Sequence, residues 1–158
     1  MNTDLTTLIQ LGAQEHYLGV LVTQHADGRP QVAVVNFGVV EHPVTGELCV
    51  ALVARRGAKL ANLRRTPTAT LVVRAGWEWI AVTGAVTLAG PDDPHPDLDS
   101  VTRRSLLREI FHAAGGHHDD LDRYDEVMAA ERRTAVLIAP HHFVTNPAET
   151  DHQEPNPP

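Results

Sequence analysis

The sequence predicts a mainly β domain, a closed or nearly closed antiparallel barrel with peripheral helices. Three observations carry this. Six apolar, strand-like runs dominate the 158 residues. Most are joined by links of hairpin length with Gly, Asp or Pro at the turn. No βαβαβ series and no G-x-G-x-x-G is present, which argues against a Rossmann domain. A barrel is the economical way to arrange such strands, because closure removes free sheet edges.

Residues 4–14 read as a short amphipathic helix with Leu5, Leu8, Ile9 and Leu11 on one side. Residues 17–25 read as the first strand. Ala26-Asp27-Gly28-Arg29-Pro30 is a hairpin turn, since Asp-Gly tolerates the positive φ it requires. Residues 31–40 return as one second strand. His42–Glu47 is another turn, and Leu48–Val53 a third strand, completing a meander. A helix over about 58–65 ends at Pro67. Thr68–Arg74 is the fourth strand. Glu78–Leu88 is the fifth, with Ile80, Val82, Val86 and Leu88 on one face and Gly84 marking a bulge or a close approach. After a Pro/Asp loop, residues 99–114 form an amphipathic helix striped by Leu106, Leu107, Ile110, Phe111 and Ala114, stopped by Gly115-Gly116. Asp119 or Asp120 caps a further helix to about 131. Thr134–Val144 is the sixth strand. Residues 1–145 therefore make one domain, and the polar, Pro-rich residues 146–158 a disordered tail.

The length suits one hydrophobic core. A formal net charge of -7 argues against a general nucleic-acid binder. The apolar runs are too short to span a bilayer, and the N-terminus shows no basic and apolar leader. Cys49 is alone and mid-strand, so a buried, inert thiol in the reducing cytoplasm is expected. Ten histidines invite a metal reading, yet none has partners at a recognised ligand spacing, so no metal site is assigned.

Against this acidic background one stretch stands out. Residues 54–67 hold Arg55, Arg56, Lys59, Arg64 and Arg65, five of the thirteen Lys+Arg, and no acid; Lys59 is the only lysine. An apolar strand delivers them into a helix N-terminus. There the free N–H groups, the helix dipole and the cations all favour an anion. The competing reading is a solvated helix face. Trp77 and Trp79 share one strand face opposite Ile80 and Val82. Facing outward, they need cover from a partner, a planar cofactor or the 99–131 helices.

These residues together resemble a known family. Gly19-Val20-Leu21, Asp27-Gly28-Arg29-Pro30-Gln31, Lys59-x-x-Asn62-Leu63-Arg64-Arg65-x-Pro67 and Gly76-Trp77-x-Trp79 with Gly84 resemble the split β-barrel flavin/deazaflavin family of pyridoxamine 5′-phosphate oxidase-like proteins. Tyr124-x-x-x-Met128 and Arg132-Arg133 look closest to its coenzyme F420-dependent reductase branch. The resemblance implies a six-stranded antiparallel split barrel of the FMN-binding type. It also implies a homodimer with cofactor sites at the interface. By this resemblance Lys59 and Arg56, with Arg55 beside them, hold the cofactor phosphate, and Ala58 offers a backbone N–H. Asn62 braces the loop or reaches the phosphate. Gln31 and the backbone of Leu52 and Val53 approach the ring. Gly76, Trp77 and Trp79 come from the facing subunit. One departure is visible: Gly57 stands where F420 relatives often carry arginine.

F420 carries a phosphate and an oligoglutamate tail, and FMN a single phosphate, so the arginine surplus suits F420 better. The expected activity is F420-dependent hydride transfer to an unsaturated small molecule, without an identifiable catalytic side chain. The alternatives are an FMN-dependent oxidase or reductase, and a non-catalytic F420 or haem carrier. His141 or His142 would be the axial ligand for haem.

Overall fold

The computed structural model describes residues 2–146, so the tail expected over 146–158 lies almost wholly outside the described residues. Four helices and seven strands follow in the order α1 (Thr3–Gln14), β1 (Leu18–Gln24), β2 (Pro30–Asn36), β3 (Gly38–Glu41), β4 (Leu48–Ala54), α2 (Ala58–Arg65), β5 (Thr68–Ala75), β6 (Glu78–Ala89), α3 (Ser100–Ala113), α4 (Leu121–Ala130) and β7 (Thr134–Thr145). All strands join one antiparallel sheet, ordered β2-β1-β5-β6-β7-β4-β3.

The expected single strand over 31–40 is two, and the strand count rises from six to seven. Phe37 breaks it. Its side chain is fully buried and its N–H donates to the Tyr17 carbonyl at 2.9 Å. Beyond it, Gly38 lies so close to α3 that a Cβ there would come within 2.5 Å of Ala113 Cβ. The two halves of this segment form opposite edges of the sheet. The hydrogen-bonded ladder therefore stays open, and the chain itself bridges its two edges through one residue. That gap is the split of the barrel.

The barrel interior is filled by Leu8 of α1 with Leu21, Leu52, Leu71, Ile80 and Ile138 from the strands. A second core lies outside the sheet, where Leu106 and Ile110 of α3 cover Cys49, Ala51 and Leu137. This double burial explains the unbroken apolar run of β4, which has a core on both faces. Cys49 is among its buried residues, and burial pushes its thiol pKa up to about 12, leaving it inert. The β6–β7 register shifts between Thr83 and Gly84. A Cβ at Gly84 would fall 1.6 Å from the Ala139 carbonyl oxygen, so the bulge and the close approach coincide.

Among the described residues, nothing covers one sheet face. Across β2, β1 and β5, Val32 stands beside Val22 and Thr70, and Val34 beside Val20 and Val72. Val32 and Val34 are 61% and 67% exposed.

Candidate functional site

β4 ends at Ala54 and passes through Arg55–Gly57 into α2. Gly57 adopts φ 148°, ψ -168°, a region open essentially to glycine alone. A Cβ there would meet nothing within 4 Å, so backbone conformation and not space demands the glycine. Gly57 also offers no side-chain cap, so the first-turn N–H groups of α2 are left open.

Beside that turn lies a cleft of about 380 Å³. Its position follows from the split. From Leu52 onward β4 has a ladder partner only on its β7 side. Val53 of β4 and Val34 and Asn36 of β2 face each other across the gap, and Phe111, Tyr124 and Met128 from α3 and α4 roof it. Arg55, Lys59 and Arg133 bring positive charge, and among the described residues no acidic side chain lines the cleft. The Phe111 and Tyr124 rings lie 4.7 Å apart, tilted by 33°. Tyr124 Oη donates to the Leu107 carbonyl at 3.2 Å, and burial raises its pKa, keeping the phenol protonated. Asn36 is positioned by donating to the His16 carbonyl at 3.0 Å.

Lys59 is the chemical centre of this cleft. It is half-buried and makes no ion pair or side-chain hydrogen bond among the described residues. Its pKa is lowered, first by burial and then by the charge of Arg133. Arg133 is only 18% exposed in its side chain and engages Glu131 through Nε at 2.7 Å. Glu131 also meets Arg55, at 3.7 Å. One carboxylate thus serves two guanidinium groups, and the half-buried Lys59 ammonium is left beside one of them without an acid of its own. Like charges brought together out of water call for an anion.

The remaining expected residues separate into groups. Ala58 is exposed on the first turn of α2, free to present its N–H. Arg56 turns away to Asp92, at 3.5 Å. Leu52 is buried in the barrel core, and only Val53 faces the cleft. Asn62 is buried. Its Nδ2 donates to Gln31 Oε1 at 2.7 Å and to Thr23 Oγ1 at 3.2 Å, and its Oδ1 accepts from Arg65 Nη2 at 2.9 Å. Asn62 and Gln31 therefore brace the start of the barrel and do not line the cleft. Arg65 also donates to the Gln24 carbonyl, and Arg64 makes a two-pronged pair with Asp93 at 2.7 Å on both bonds. Neither extends the cationic surface.

Trp77 is corrected from a strand position to the two-residue turn between β5 and β6, where Ala75 pairs with Glu78. Gly76 takes the positive φ of 58° and Trp77 does not, as in a type II′ hairpin. Trp77 is 89% exposed, and Trp79 half-buried. Asn146 clamps the hairpin, accepting from the Trp79 N–H at 3.0 Å and donating to the Trp77 carbonyl at 3.2 Å. This hairpin does not contribute to the cleft of its own chain.

Phe111, Val34 and Asn36 were given no site role from the sequence, and Arg133 entered only through the resemblance of Arg132-Arg133, without a role in the site. Tyr124 and Met128 likewise entered only through the resemblance, as Tyr124-x-x-x-Met128. Among the described residues no group of three or more His, Cys, Asp or Glu could hold a metal, and no helix is long and apolar enough to cross a membrane.

Comparison with known proteins agrees with this architecture. A pyridoxamine 5′-phosphate oxidase-related, FMN-binding protein of Nostoc punctiforme superimposes with a TM-score of 0.59 at 16% identity, over 91% of this chain and 82% of that one. An F420 reductase gives 0.56 at 18% identity, over 84% and 94%. A heme binding protein of Mycobacterium smegmatis gives 0.58 at 14% identity, over 92% and 55%. At these identities the likeness is one of fold. The sequence itself carries the family: the pyridoxamine 5′-phosphate oxidase profile matches residues 5–143. A split barrel with a cationic cleft at its split, together with that match over most of the chain, shows that this protein belongs to the pyridoxamine 5′-phosphate oxidase family.

Proposed function

We propose that the protein is an F420-dependent oxidoreductase that reduces an unsaturated small molecule. The observation that carries the reading is the unpaired Lys59, set with Arg55 and Arg133 at the mouth of an apolar, partly aromatic cleft. The cleft fits a planar cofactor with an anionic arm. Open N–H groups and cations line the cleft together with the apolar and aromatic side chains of Val53, Phe111, Tyr124 and Met128. When bound, the deazaflavin supplies the hydride. Lys59, Arg133 and the first-turn N–H of Ala58 hold the phosphate. Arg55 lies further out, at 70% exposure, suited to a trailing carboxylate. The apolar walls exclude water from the ring end. Tyr124 keeps its proton on Oη, bonded to Leu107, and orders the roof.

Two further parts of the reading are structural. A second copy covers the Val32/Val34 face, and its exposed Trp77 hairpin completes the cleft, giving a homodimer with shared sites. Cys49, a buried free thiol, suits the cytoplasm. FMN is the second reading, favoured by the fact that Lys59 and Arg133 already suffice for one terminal phosphate. A haem carrier is less well supported, because among the described residues no histidine lines the cleft and His141 and His142 are exposed on β7.

Parallel titrations of the purified protein with F420 and FMN test the reading, followed by a substrate screen with the tighter cofactor. Tighter, salt-sensitive F420 binding supports it. Tight FMN binding with no F420 binding overturns it in favour of the second reading.

A further inference from the structure

A second cavity, of about 240 Å³, lies behind the cleft between α3, α4 and the end of β6. It is somewhat smaller than ligand pockets of roughly 300 Å³ and above, so its occupant must be small. Its walls combine apolar side chains, Leu107 and Met128 among them, with three arginines: Arg103, Arg104 and Arg133. One carboxylate, Asp125, faces them, but it is already engaged by Arg108 through both oxygens, with Nε at 2.9 Å. The arginines are incompletely used. Arg103 makes one bond, from Nη1 to the Gly90 carbonyl at 2.8 Å. Arg104 comes no closer than 3.8 Å to Asp125 and makes no hydrogen bond among the described residues. Arg133 commits only Nε, to Glu131. Several guanidinium N–H groups thus surround a half-enclosed apolar space, a combination that recognises a carboxylate on a hydrophobic body.

We propose that this cavity is a binding site for a small aromatic or short-chain carboxylate, with its charge on Arg103, Arg104 and Arg133 and its body against Leu107 and Met128. The assignment does not depend on which cofactor occupies the cleft. Met128 and Arg133 line both spaces, so the bound acid lies next to the cofactor cleft.

Benzoate titrated into the full chain, followed by amide chemical shifts, tests this. Saturable shifts are expected at Gly90, Ser100, Leu107 and Ala129. Benzamide, of the same shape without the charge, should bind more weakly by about tenfold or more, the ratio for one lost charge-assisted bond. Ala129→Phe, which fills the cavity and leaves every charge in place, should abolish the shifts with the fold intact. Arg104→Gln removes a largely exposed side chain without a hydrogen bond, and should weaken benzoate several-fold whatever Ala129→Phe does to folding. Absence of saturation overturns the proposal. So does equal binding of benzamide, undiminished binding in Arg104→Gln, or shifts centred on Val53 and Lys59, which would place the anion in the cleft.

Discussion

Lys59→Met is expected to weaken cofactor binding while leaving the empty protein as stable as before, or more so. The substitution keeps the aliphatic stem and removes the ammonium. Lys59 is half-buried, lacks an acidic partner and has its pKa lowered by burial and by Arg133. The folded protein therefore binds fewer protons at this group than the unfolded chain. For a base whose pKa falls on folding, stability rises with pH between the folded value and the ordinary 10.5. At neutral pH the ammonium is charged and costs stability, so removing it relieves a penalty. In the complex its loss forfeits a charge-assisted hydrogen bond of about 1.5–3 kcal/mol, roughly 10- to 150-fold in Kd. Exposure orders the neighbours. Arg133, 18% exposed, should match Lys59, whereas Arg55, 70% exposed and screened by solvent, should cost no more than about fivefold. The assay is fluorescence titration of the tighter cofactor beside a thermal melt of the empty protein. Unchanged affinity with an intact fold would refute the site. A large fall in melting temperature would show that Lys59 supports the fold instead.

Four other outcomes are expected. His42 is buried and accepts through Nδ1 from the Val44 and Thr45 N–H groups, at 3.2 and 3.4 Å, while Nε2 lies 3.4 Å from Thr87 Oγ1. Burial first, then His95, lowers its pKa below 6.5, so its stabilisation is whole above that pH and lost as pH falls below it; melts from pH 7.5 to 5.5 should show the slope, and His42→Gln should flatten it. Gly84→Ala should cost about 3 kcal/mol or more in denaturant unfolding, because its Cβ meets backbone. Val32→Lys should convert the expected dimer to a monomer in light scattering, since it charges the uncovered face. Arg64→Gln should leave cofactor affinity and its salt dependence unchanged, because Arg64 is held by Asp93.

The helix over 58–65, the turn at Asp27-Gly28 and the bulge at Gly84 were legible because each rests on local chemistry: a proline stop, a positive φ, a missing side chain. The break at Phe37 was not. Apolar residues continue on both sides of it, and only the Tyr17 carbonyl and the face of α3 make that position turn. Trp77 was read as a strand residue because Trp-x-Trp has period two, whereas the hairpin needed Gly76 and one further residue for its turn. The anion site was legible at Lys59, where strand, glycine and helix are consecutive. Arg133 comes from some seventy residues later and joins only through the β4–β7 pairing.

The same distinction bears on cofactor choice. Counted along the chain, five cations crowd the strand-to-helix segment and suggest a long polyanion. In space the count changes. Arg64 is bound to Asp93, Arg65 to Asn62 and the Gln24 carbonyl, and Arg56 to Asp92, so of that segment only Arg55 and Lys59 reach the cleft. The case for a cofactor with more than one anionic group then passes from the number of arginines to their depth. Lys59 and Arg133 lie deep enough to hold one phosphate, and exposed Arg55, which shares Glu131 with Arg133 at 3.7 Å, is the cation that lines the cleft beyond it. Arg55→Gln therefore discriminates between the two cofactors. It should weaken F420 and lower its salt dependence while leaving FMN untouched, since exposed pairs are screened over about 10 Å at 0.1 M salt and buried ones much less. An equal effect on both would mean that Arg55 serves the phosphate itself, and the structural preference for the longer cofactor would be gone.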